Sequence, residues 1–262
     1  MDDELTPGQT AAMAAGLRVY EGGSGSPVLL LLHGLGATGD VWNSWRPVLA
    51  QRWPGRWLAP DLPGHGGSPP LEAYSSDAQA AAVAAVVPRD APVVVLGHSL
   101  GGVVGLALAG GEFGISVRAV AGLGIKVAWT EEDLSRAEAI AKRPVAWFAS
   151  RDEAAARYLR VSGLAGLVPA GDPRVDAGLT ERDGQWRMAV DPAAFAPGAP
   201  DMAALIERST VPVVLARGEL DPMNTDEQLI RLGVPAITLP GLGHNAHVED
   251  PGLSATLLDP YR

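Results

Sequence analysis

Short apolar segments recur along this chain at Leu17 to Tyr20, Val28 to Leu32, Trp57 to Ala59, Val93 to Leu96, Val117 to Ala121, Val211 to Ala216 and Ala236 to Leu239. Several are apolar without interruption, and that restricts the fold more than any other feature. A strand with one face in water alternates apolar and polar residues, whereas a strand covered on both faces has no polar side to show. Between these segments lie helical stretches at Val41 to Gln51, Asp77 to Val87, Leu100 to Ala109, Thr225 to Leu232 and Leu253 to Leu258. Strand and helix in alternation predict a doubly wound α/β architecture with a mostly parallel sheet.

The alternation breaks once, between about Ala128 and Arg208, where no convincing strand is visible. Thr130 ahead of Glu131, Glu132 and Asp133 reads as a helix N-cap with an acidic first turn, and Ala154 to Leu159 continues a helical pattern. Pro169 to Gly171 and Pro197 to Pro200 punctuate the segment. The expected organisation is therefore a core made of residues 1–127 and 209–262, with residues 128–208 inserted as a helical cap. Gly22 to Ser26 reads as a hairpin turn.

Composition narrows the function classes. A chain of 262 residues with 47% hydrophobic and 19% charged residues can bury a full core. Its net charge of −10, with no basic stripe, repels phosphate backbones and anionic lipid, so neither nucleic acid nor a membrane is an expected partner. The start at Met1, Asp2, Asp3 and Glu4 lacks a signal-peptide pattern, and no apolar run approaches the roughly 18 residues that span a bilayer. A cytoplasmic location is the expectation. With no cysteine, disulfides, thiolate catalysis and a cysteine-based zinc site are excluded.

After the run Val93 to Leu96 comes Gly97-His98-Ser99-Leu100-Gly101-Gly102, and then the small apolar run Val103 to Ala109. A G-x-S-x-G pattern alone is weak in a chain with 32 glycines. Between a buried strand and a helix it gains meaning, because a sharp turn there exposes the serine hydroxyl at the helix N-terminus, where N–H groups favour a developing oxyanion. Ser99 is the candidate nucleophile. His98 is its immediate neighbour and points elsewhere on such a turn, which suits a structural role.

A base is expected in Gly241-Leu242-Gly243-His244-Asn245-Ala246-His247, after the last apolar run. His244 directly follows the glycine turn and is preferred, with His247 as the competitor. The acid should follow a strand and precede the histidine, and Arg217-Gly218-Glu219-Leu220-Asp221 offers Asp221 first and Glu219 second. Such a carboxylate fixes the histidine tautomer and stabilises the imidazolium. Gly122 to Thr130, the other strand exit where an acid could sit, contains none.

His33-Gly34-Leu35-Gly36-Ala37-Thr38-Gly39 satisfies G-x-G-x-x-G, with Asp61 near the place of a ribose-binding carboxylate. A dinucleotide site leaves Ser99, Asp221 and His244 without a role. The same loop can instead aim the N–H of Leu35 at an oxyanion, paired with that of Leu100.

Taken together, His33-Gly34-Leu35-Gly36, Asp61-Leu62-Pro63-Gly64-His65-Gly66-Gly67-Ser68, Gly97-His98-Ser99-Leu100-Gly101-Gly102, Gly218 with Asp221, and Gly243-His244 ahead of Glu249-Asp250-Pro251 resemble the ordered motifs of the α/β-hydrolase superfamily. The likeness covers nearly the whole chain. It implies that His33 and His65 are structural, that Asp61 is not the acid, and that residues 128–208 form a lid. Trp129, Trp147 and Trp186, with Phe148 and Tyr158, would then shape the substrate pocket. The implied activity is ester or related acyl hydrolysis of a small, apolar substrate by Ser99, His244 and Asp221, with no metal or organic cofactor. C–C bond hydrolases, lactonases, amidases and perhydrolases share such a triad, whereas a serine at the elbow argues against haloalkane dehalogenases and epoxide hydrolases. A ligand-binding protein without turnover and an NAD-binding dehydrogenase are the alternatives from other classes. Oligomeric state is not legible.

Overall fold

The structure, a computed structural model, describes residues 11–14 and 16–262. The acidic start, Met1 to Glu4, lies outside them. The strands are β1 (Ala11–Ala14), β2 (Leu17–Gly22), β3 (Val28–Leu32), β4 (Trp57–Pro60), β5 (Pro92–His98), β6 (Ser116–Leu123), β7 (Leu179–Arg182), β8 (Gln185–Met188), β9 (Val213–Gly218) and β10 (Ala236–Leu239). Eight form one sheet in the order β1-β2-β4-β3-β5-β6-β9-β10, parallel from β4 to β10 with β2 antiparallel at its end.

The uninterrupted apolar runs have the expected cause. Leu29 and Leu31 of β3 pack in one core with Val94, Leu96, Ala121, Leu123, Val214 and Ala216. Leu30 and Leu32 pack in a second, with Val93, Val95, Val120, Val213 and Leu215. Side chains alternate across a strand, so two dry faces demand apolar residues at every position.

The helices are α1 (Arg46–Arg52), α2 (Ser76–Ala84), α3 (Leu100–Leu108), α4 (Glu131–Ala141), α5 (Arg151–Val161), α6 (Pro173–Asp176), α7 (Met202–Glu207), α8 (Asp226–Ile230), α9 (Ala246–Glu249) and α10 (Pro251–Ser254), of which α4 to α7 lie in the segment between β6 and β9. Thr130 caps α4 in a reciprocal box with Asp133, as its sequence position predicts. The stretch expected as one helix from Val41 is a 3-10 turn, Gly39–Trp45, leading into α1.

Two expectations need correction. Gly22 to Ser26 is not a hairpin turn: β2 pairs with β4, which lies between β2 and β3. The chain between β6 and β9 is also not wholly helical, since β7 and β8 form an antiparallel pair there. Its turn is Asp183-Gly184, with φ of 53° and 76°, the two positive values of a type I′ turn. Asp-Gly was the signal for it.

Candidate active site

The loops that leave β3, β5, β6, β9 and β10 all emerge at the carboxyl edge of the parallel strands. β3 and β5 are direct neighbours, with Leu32 beside Gly97, so the His33–Leu35 loop and Ser99 meet side by side. This is the edge where open α/β sheets place ligands.

Ser99 joins β5 to α3 with φ 49° and ψ −116°. A non-glycine residue in such a conformation costs on the order of 1–3 kcal/mol and persists only where its surroundings over-determine it. Here the Ser99 N–H donates to the Leu123 carbonyl at 2.8 Å, and the Ser99 carbonyl accepts from Gly102 N–H at 2.9 Å. Gly97 and Gly101 permit the tightness. A Cβ on Gly97 would strike the backbone of Gly101 and Gly102, and one on Gly101 the backbone of Leu32 and His33. Ser99 is left partly exposed and lines a cavity of about 210 Å³.

Asp221 leaves the end of β9 with its carboxylate fully buried. Its Oδ1 accepts from Met223 N–H at 2.9 Å and its Oδ2 lies 3.0 Å from His244 Nδ1. The imidazole Nδ1–H is thereby the donor, and Nε2 is left free to accept. Arg217, whose guanidinium donates to the carbonyls of Glu219 and Asp221, braces this turn from behind. Glu219, the competing acid, is exposed and accepts instead from Gly241 N–H at 2.8 Å. His247, the competing base, is buried on α9, and loss of hydration drives its pKa down to about 3. Among the described residues no hydrogen bond joins the Ser99 hydroxyl to His244.

The other histidines hold the frame. His33 Nδ1–H donates to the Gly34 carbonyl while its Nε2 accepts from Leu62 N–H, each at 2.8 Å, which ties the two loops and fixes a neutral tautomer. Complete burial pushes its pKa well below the usual range. His98 donates from Nε2 to the His244 carbonyl at 2.9 Å, with its ring centroid 4.8 Å from that of His244. Burial likewise keeps it neutral. His65 is buried and its pKa falls to about 4. Asp61 accepts from Gly39 and Gly67 N–H at 2.7 and 2.8 Å, inside the molecule. The third glycine of the G-x-G-x-x-G run is therefore spent on a buried carboxylate and presents no free N–H to a pyrophosphate.

Leu35 and Leu100 line the Ser99 cavity, and among the described residues neither N–H has a protein acceptor. Ile125, Trp129 and Phe195 form apolar parts of its wall. Of the three expected cap tryptophans only Trp129 lies there. Trp147 lines another cavity, under Arg187, and Trp186 sits on β8, bridged to Phe148. Three site neighbours were missed in the sequence. Phe195 lies in a short 3-10 turn, Pro192–Phe195. Asn224 donates to Ile125 O and accepts from Val127 N–H, tying the Asp221 turn to the exit of β6. Asn245 donates to Gly163 O at 3.0 Å, joining the His244 loop to the end of α5. No group of three or more His, Cys, Asp or Glu side chains among the described residues could hold a metal ion.

A family model described as the alpha/beta hydrolase family matches residues 29–256. A pimeloyl-[acyl-carrier protein] methyl ester esterase of Methylococcus capsulatus is 43% identical over 94 residues, 36% of this chain and 35% of that protein. Lipase LipV of Mycobacterium tuberculosis is 42% identical over 91 residues, 34% and 33% of the respective chains. The chain spans between 24% and 35% of the length of the first curated relatives it matches. A solved E-2-(acetamidomethylene)succinate hydrolase shares the fold, with a TM-score of 0.80 at 24% identity over 97% of this chain and 98% of that one.

Proposed function

This chain belongs to the alpha/beta hydrolase family, and from that premise we propose that it cleaves ester or related acyl bonds of small apolar substrates through Ser99, His244 and Asp221. The observation that carries the reading is the strained Ser99 backbone on the same sheet edge as the Asp221–His244 pair. Strain of that kind is maintained where it has a use.

In this reading Ser99 Oγ attacks the substrate carbonyl carbon as His244 Nε2 takes its proton. Asp221, its buried carboxylate hydrogen-bonded to that imidazole and to Met223 N–H, holds the ring and stabilises the imidazolium. The N–H groups of Leu35 and Leu100 receive the oxyanion, and α3 adds the positive end of its dipole. His244 then passes the proton to the leaving oxygen, and a water activated by the same nitrogen releases the acyl group. The Ser99–His244 hydrogen bond closes as substrate binds, since catalytic contacts often tighten only in the complex. Residues 128–208 act as the cap, with Trp129 and Phe195 as apolar wall.

Esterase and lipase relatives support ester chemistry over lactone, amide or C–C cleavage. The test is a panel of p-nitrophenyl esters of graded chain length, with lactones and amides beside them, on wild type and Ser99→Ala. Ester turnover should fall by about 10³-fold or more in the variant. Undiminished turnover contradicts the assignment.

A further inference from the structure

A second cavity, of about 410 Å³, lies in the 128–208 segment and meets the Ser99 cavity at Phe195, which lines both. Val161, on its wall, also touches the loop beside Ser99, because a Cβ on Gly36 would sit 3.0 Å from its Cγ1. The two cavities therefore adjoin, with Phe195 between them. The second has apolar walls, among them Ile140, Phe148 and Met188, but two arginines, Arg143 and Arg157, also line it.

Among the described residues those two charges have no carboxylate partner, a condition that Arg160 and Arg187 share within the segment, but no other cavity of the segment is lined by two such cations. Arg136, Lys142, Arg151 and Arg174 of the same segment each hold a carboxylate. The guanidinium groups of Arg143 and Arg157 have no ion pair or hydrogen bond among the described residues, although the chain carries 30 acidic residues against 20 basic ones. No Asp or Glu lines the chamber. Two cations without a carboxylate partner, lining an apolar chamber that holds no acidic residue, can pair with an anion that a ligand brings.

We propose that the second chamber takes the far end of the substrate's acyl chain, and that Arg143 and Arg157 bind a carboxylate at that end. The preferred substrate is then an ester whose acyl chain is apolar in the middle and anionic at its terminus. This rests on the serine-hydrolase reading for the location of the scissile bond, and goes beyond it in naming the substrate class.

The test compares p-nitrophenyl octanoate with the mono-p-nitrophenyl ester of suberate, which have equal carbon count and differ in the terminal carboxylate. Wild type should favour the suberate ester in kcat/KM by roughly tenfold or more, as charge-assisted contacts allow. Arg143→Gln with Arg157→Gln should bring the ratio to about one, Arg157→Glu should invert it, and added salt should shrink it. Arg160→Gln, an unpaired cation on α5 that faces a different cavity, should leave the ratio as it is. Equal or reversed preference in wild type, or a preference that survives the double variant, overturns the proposal. The same ester pair is also titrated calorimetrically into Ser99→Ala protein, with and without the arginine changes. Tighter binding of the suberate ester that depends on both arginines supports the proposal even if wild type turns over neither ester, a result that would remove the serine-hydrolase reading alone. Equal binding there removes the proposal.

Discussion

In the proposed mechanism Asp221 touches the reaction only through His244. Its buried Oδ2 fixes the proton on Nδ1, and its Oδ1 is already occupied by the Met223 N–H. Asp221→Asn keeps the shape and an acceptor for Met223 but can present an N–H to the imidazole, which favours the wrong tautomer. Turnover of a p-nitrophenyl ester is expected to drop by about 10³- to 10⁴-fold with the melting temperature little changed. A loss under tenfold would count against Asp221 as the orienting acid. Ser99, His244 and Asp221 stood out in the sequence because each follows an apolar run, a local signal. Asn224, Asn245 and Phe195 did not, because what they do depends on partners far along the chain: Asn245 pairs with Gly163, 82 positions away. No window of sequence contains such a pair.

At the scale of elements, the turn between β5 and α3 is held by packing of backbone on backbone. Gly101→Ala puts a methyl group against the carbonyls of Leu32 and His33, neither of which can move without displacing β3. Overpacking of this sort costs about 1–3 kcal/mol, and it should appear as a lower urea midpoint together with reduced ester turnover. Wild-type values in both would contradict the close approach. The strands themselves were readable because burial on two faces writes itself into every position. β1 was not, since Ala11–Ala14 lacks the β-branched and aromatic residues that mark a strand. β7 and β8 escaped for another reason. They are half-exposed and polar, and only their Asp-Gly turn announces them. The misplaced β2–β3 hairpin shows a third limit, because two consecutive strands can be separated by a strand that comes later in the chain.

Across the whole molecule, the carboxyl edge rests on histidines that stay neutral. Burial lowers the pKa of His33, His65, His98 and His247, to about 4 for His65 and about 3 for His247, against an ordinary value of 6.5. As pH falls below that value the unfolded chain binds protons that the folded chain refuses, so stability is lost on acidification. Asp40 and Asp61 act in the opposite sense. Burial raises both to about 6, so between 3.8 and 6 the folded chain binds protons that the unfolded one does not. Two such carboxyls oppose four histidines, and the melting temperature followed by circular dichroism should fall between pH 7 and pH 5. A rise over that interval would mean that the histidines are not buried neutral.

The account as a whole depends on one hydroxyl being the nucleophile at this edge. Incubation with a fluorophosphonate probe, followed by intact-mass measurement and peptide mapping, reads that directly. One adduct per chain on Ser99, absent from Ser99→Ala and slowed in Asp221→Asn, is the predicted result. No adduct on active protein, or an adduct on any other residue, would contradict it.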